Sequence, residues 1–92
     1  MTDENILGIL KTDLQICASA YDEHLENIVS LARKAISDEG VNLDPESDND
    51  GMLVEMYAAY LYRKRKDEKA VMPRMLRYML NNRLFRQKAG GG

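Results

Sequence analysis

Between Leu53 and Gln87, apolar residues recur at three- and four-residue intervals in two stretches, and one proline falls where the second begins. Leu53, Met56, Tyr57, Tyr60 and Leu61 mark one face of a first helix, and Met72, Met75, Leu76, Met79, Leu80 and Leu84 mark one face of a second. This spacing is what a helix with a single buried face requires. Between the two, Arg63-Lys64-Arg65-Lys66 gives way to Asp67-Glu68 and then to Pro73, whose fixed φ and missing N–H suit the first turn of a new helix. The pattern predicts a helical hairpin with a charged turn beginning at Arg63. The upstream residues must then supply its packing partner.

They contain two more helices. Thr2 is placed to cap a short first helix, with Asp3 and Glu4 in its first turn where the helix dipole favours negative charge. Ile6, Leu7, Leu10 and Leu14 give it an apolar stripe, and Gly8 weakens it by roughly 1 kcal/mol relative to Ala. A connector runs from Leu14 to Ala18. The long second helix has a clear stripe of Tyr21, Leu25, Ile28, Val29, Ala32, Ala35 and Ile36. Ser19 and Asp22 are spaced as a capping box, Arg33-Lys34 fall near the expected C-terminal end, and Gly40 fits a left-handed closing position. Val41 to Gly51 loses all periodicity and is rich in turn residues, so it reads as a solvent-exposed loop in which Ser47 or Asp48 caps the third helix. The expected architecture is all-α: one helical domain over 1–88, with 89–92 a flexible Gly-rich tail.

A 92-residue domain can bury only about 60–65% of its unfolded surface and often completes its core by oligomerising. Cys17 is the single cysteine, which excludes a disulfide framework within the chain, and no apolar run approaches the roughly 18 residues of a membrane span. The opening Met1-Thr2-Asp3-Glu4 is acidic where a signal peptide is basic, so a cytoplasmic site of assembly is expected. The net charge of −2 conceals an asymmetry: residues 1–55 carry 13 acids against 3 bases, and residues 56–92 carry 2 acids against 10 bases. Such a chain can pair its halves internally, pair them with copies of itself, or offer the basic half to an anionic partner.

Motifs for chemistry are sparse. Glu46, Asp48, Asp50 and Gly51 match the opening of a calcium-binding loop, but Tyr57 stands where the bidentate Glu is required, and a solvated acidic loop accounts for them. His24 and Cys17 are each alone of their type; a solvated histidine and a partly buried thiol are expected, with no metal, cofactor or catalytic site. The bases Arg63, Lys64, Arg65, Lys66, Arg74, Arg77, Arg83, Arg86 and Lys88 lie near Tyr57, Tyr60, Tyr62 and Tyr78. They leave open a small helical module that binds DNA through its basic half.

A family resemblance lies in Leu10-Lys11, Leu14 and Ile16, then Asp22, Leu25, Ile28-Val29, Ala32 and Ala35-Ile36. It continues, after an irregular loop, with Met56-Tyr57-Ala58-Ala59-Tyr60-Leu61-Tyr62, Arg65, Met72-Pro73 and Met75-Leu76. Over residues 5–87 the chain resembles the head-tail connector, or adaptor, proteins of long-tailed bacteriophages and prophages. The resemblance implies a non-enzymatic structural subunit of the virion neck, assembled in the bacterial host cytoplasm. It implies a ring, dodecameric in the virion, that joins the portal to the stopper or tail-completion protein after DNA packaging. DNA would pass through without sequence-specific binding, and no membrane is involved. It also implies that Leu84, Phe85, Arg86 and Gln87 reach toward the portal. Asp22, Glu23 and Glu26 are then expected to face Arg74 and Arg77 of a neighbouring subunit, with Arg63 to Lys66 as further contact residues, because a ring joins two different patches.

Overall fold

The computed structural model describes residues 1–90 and is all-α. The described residues form α1 (Asp3–Leu14), α2 (Asp22–Asp38), α3 (Asp48–Lys66) and α4 (Arg74–Ala89), with a 3-10 turn at Ser19–Tyr21 leading into α2. Thr2 and Ser47 cap α1 and α3: their hydroxyls accept from the backbone N–H groups of Asn5 and Asp50, each at 3.1 Å. Gly40 adopts φ 102° after α2, as a closing glycine does. Gln15 takes the same left-handed role after α1 at φ 58°, a position the sequence does not advertise because the residue is not Gly or Asn.

The centre of the molecule is α3 rather than the α3–α4 hairpin. α3 packs extensively on both α1 and α2 and over a shorter stretch on α4. Leu53, Val54, Tyr57, Ala58 and Ala59 are all buried, and adjacent residues on a helix point about 100° apart, so more than one side of α3 is covered. Ala58 and Ala59 leave room for neighbouring helices to approach. Met56, Tyr60 and Leu61, read from the sequence as part of a single buried stripe, are only half-buried. Opposite α3, α2 presents Leu25, Ile28, Val29, Ala32 and Ile36, while α1 contributes Ile6 and Leu10 and α4 contributes Leu76 and Leu80. Each fully buried Leu or Ile stabilises the fold by roughly 1.5–3 kcal/mol.

Several local expectations are corrected. Arg63 to Lys66 are not a turn but the last turn of α3, where four cations face the negative end of the helix dipole, and the break comes at Asp67. Pro73 occupies the N-cap position of α4, one residue before the helical run. Ser19 makes no capping bond: the 3-10 turn intervenes, and Tyr21, at the cap of α2, is half exposed rather than on the stripe. α2 continues to Asp38, so Arg33 and Lys34 lie a turn before its end. Met75 points to solvent, not to the core. The 41–51 stretch is only partly an exposed loop, because Val41 is buried and Asp50 and Gly51 are buried helical residues. Cys17 is exposed. The expected flexible tail at 89–92 is shortened, since Ala89 closes α4 and Gly90 caps it; Gly91 and Gly92 lie outside the described residues.

Candidate functional site

α4 has two faces that serve different purposes. On the inner side, Leu76, Leu80, Arg83, Leu84 and Gln87 follow helical spacing and meet α3 and the α2–α3 loop. Arg83 extends along this face to Asp50 at the start of α3, its Nε donating to Oδ1 at 2.7 Å and Nη2 to Oδ2 at 3.0 Å. The same Nη2 donates to the Asn42 carbonyl at 2.7 Å, and the Asp44 N–H donates to Asp50 Oδ2 at 2.8 Å. One turn on, Gln87 donates to the Gly40 carbonyl at 2.9 Å and accepts from the Asn42 N–H at 2.7 Å. This network latches α4 to the α2–α3 loop. Burial alone would raise the Asp50 carboxyl, but the hydrogen bonds from Arg83 and from the Asp44 backbone, with the Arg83 charge, outweigh it and hold Asp50 below the usual carboxylate range.

The outer side of α4 is apolar and cationic. Met75, Tyr78 and Phe85 are 61%, 63% and 72% exposed, and they lie along one helix face on the side away from Leu76 and Leu80. Arg74 and Arg86 are exposed beside them, and no acid occurs anywhere in α4. Phe85 and Arg86 also edge a groove of about 420 Å³ against the start of α3, which Asn49, Met52 and Met79 line. The strip is apolar with a cationic border.

The residues expected at interfaces divide between these two situations. Asp22 is bonded to Lys11 of its own chain at 2.6 Å, and Arg77 makes a bidentate pair with Glu39 at 2.7 and 3.2 Å, so each already has a partner within the chain. Leu84 is half-buried against the core and Gln87 is in the latch, which leaves Phe85 and Arg86 of that quartet facing outward. Glu23, Glu26 and Arg74 are exposed and form no ion pair among the described residues. Arg63 and Arg65 are exposed, the Lys64 ammonium lies 3.4 Å from the Ala70 carbonyl, and Lys66 sits 4.7 Å above the Tyr62 ring.

Sequence reasoning passed over Glu55. It is 1% exposed within α3, and its Oε2 has no hydrogen-bond partner among the described residues. Burial, then a hydrogen bond and charge from Asp13 on α1, push its carboxyl up to about 8, against a smaller opposing effect of Arg63. Its position offered a signal, since Glu55 directly precedes Met56-Tyr57 inside the most apolar run of the chain. Of the acids that matched the opening of a calcium loop, Asp50 is paired with Arg83 and Asp48 lies 3.4 Å from the N-terminal amine. No described helix is long and apolar enough to cross a membrane.

Comparison with protein-family models, with curated proteins and with solved structures gives no match for this chain.

Proposed function

We propose that this chain is a structural subunit of a phage head-tail connector, a ring under the portal that joins the DNA-filled capsid to the stopper or tail. The observation that carries the proposal is the outer face of α4, where Met75, Tyr78 and Phe85 are exposed on a helix without a single acid. A helix that spends large apolar side chains on solvent, while a separate face anchors it to its own core, is built to meet another protein. The residue pattern from Leu10 to Leu76 that resembles connector proteins supports the same reading and supplies the kind of assembly. In this role the chain is a scaffold without chemistry of its own, located in the virion neck. DNA passes it without being read.

The latch also weighs against the alternative of a DNA-binding module. Arg77 and Arg83, two of the five bases of α4, are committed to Glu39 and Asp50. The test is to mix the purified chain with portal rings from the same phage and image the product by electron microscopy. The connector reading expects added density on the tail-facing end of the portal, lost in a Tyr78→Asp/Phe85→Asp variant. Absence of portal binding, together with duplex-DNA affinity that falls steeply with salt, would replace it with the DNA-binding module.

A further inference from the structure

We propose that the exposed strip of α4, together with the groove at its C-terminal end, receives an acidic amphipathic helix of another protein. The inference deepens the connector reading and rests on it only for the carrier of that helix, which would be the portal. Met75, Tyr78, Asn82 and Phe85 are spaced as one stripe along α4, and Phe85, 72% exposed, forms a wall of the groove of about 420 Å³ at the start of α3. The fold does not use all the apolar surface of that groove. Met52 enters it from α3, half-buried but not packed against the core, whereas Leu53 and Met79 belong to the core or rest on it. Methionine side chains are unbranched and polarizable, so Met52 and Met79 can adapt to an incoming apolar group.

Charge names the occupant. Arg83 and Asp50 also line the groove but compensate each other, so the charge left at its edge is that of Arg86. Arg86 and Arg74 form no ion pair among the described residues, and they border the strip at its two ends, twelve positions or about 18 Å apart along the helix. A fitting partner carries acids at a similar separation with a large apolar side chain between them, which three turns of an amphipathic helix provide. A second α4 does not fit, because it would set arginines against their own kind. A nucleic-acid backbone would meet the arginines but leave Phe85 and Met52 without a partner. Exposed ion pairs contribute little to affinity, so Arg74 and Arg86 fix orientation while Phe85, Tyr78 and Met52 drive the contact. One face of a 16-residue helix is a small patch beside the ~800 Å² that each partner gives to a stable complex, so a single copy binds weakly and a ring of copies binds tightly by multivalency.

The experiment displays on yeast a library of amphipathic helices about four turns long, with charged positions randomised between Glu and Lys, and sorts it with the labelled full chain. Wild type should enrich helices with Glu on both sides of a central large apolar residue. Arg86→Glu should shift the enrichment to Lys on one side, and Met52→Lys should bind the wild-type winners roughly tenfold more weakly or worse. Circular dichroism checks the helix content of both variants. No enrichment, enrichment of Lys-rich helices by wild type, or binding indifferent to both variants overturns the inference. Portal rings from the same phage separate it from the connector reading. Equal decoration of the portal by wild type and by Met52→Lys/Arg86→Glu overturns the docking site and keeps the connector. Wild type that binds acidic helices but not the portal supports the docking site and overturns the connector. Self-association or duplex-DNA binding that Arg86→Glu abolishes, with no helix enriched, overturns the inference and gives the face to a second copy or to nucleic acid.

Discussion

Asp50 and Glu55 stand five residues apart on α3, both almost wholly buried, and their environments treat them in opposite ways. Asp50 lies at the open end of the helix, where Arg83 from α4 and the Asp44 N–H reach it, and it stays charged. Glu55 lies deeper, beside another acid on α1 and without a partner for Oε2, and its carboxyl is pushed up to about 8. Burial raises both. What separates them is whether the surrounding helices bring a cation, so α3 holds a compensated carboxylate at one end and a carboxyl with an unpartnered oxygen in its middle.

The largest expected effect comes from breaking the satisfied site. Arg83→Met leaves the Asp50 charge buried without compensation and should cost about 3 kcal/mol in urea unfolding. Adding Asp50→Asn to Arg83→Met should recover most of that loss, because both charges are then gone. No recovery would mean that Arg83 acts by packing rather than by charge. Glu55→Gln tests the other site: it should stabilise the protein by on the order of 2 kcal/mol at pH 7.5 and have little effect at pH 4.

The pH dependence sharpens the contrast further. The Glu55 carboxyl is raised in the folded state, so the native protein holds a proton that the unfolded chain releases, and stability falls as pH rises from the ordinary carboxylate range to about 8. Asp50 is lowered, so its contribution is present above the usual carboxylate pKa and is lost as pH falls through the folded value. Denaturant midpoints measured across pH should show a falling limb on the alkaline side that Glu55→Gln removes, and an acid limb that Asp50→Asn/Arg83→Met reduces. An alkaline limb unchanged in Glu55→Gln would rule out Glu55 as its source. The smallest effect is expected from Gln87→Ala, which removes the second tier of the latch and should cost about 1 kcal/mol in thermal unfolding without altering either limb.

How much of this the chain discloses depends on how many sides of a helix are covered. α2 meets the core on one face, so Leu25, Ile28, Val29, Ala32 and Ile36 are legible from spacing alone, and all are buried. α3 is covered on several sides, and there periodicity fails: Ala58, Ala59 and Glu55 are buried at positions that a single-stripe reading assigns elsewhere. The charged residues were blurred for a different reason. Asp22, Arg77 and Arg83 look in sequence like free surface charges, yet their partners lie 11, 38 and 33 residues away and are brought near only by packing.

The sequence by itself determined that this is an all-α chain, that Thr2 caps its first helix and Ser47 or Asp48 its third, and that acids and bases are segregated along it, because those properties depend on neighbours within a turn or two. Tertiary structure decided which charges remain available. It committed Arg83 to Asp50 and Arg77 to Glu39, left Glu55 Oε2 without a partner among the described residues, and turned Met75, Tyr78 and Phe85 outward on the face of α4 that the core does not use. A side chain's neighbours across helices are set by how the helices pack, and no local spacing encodes them.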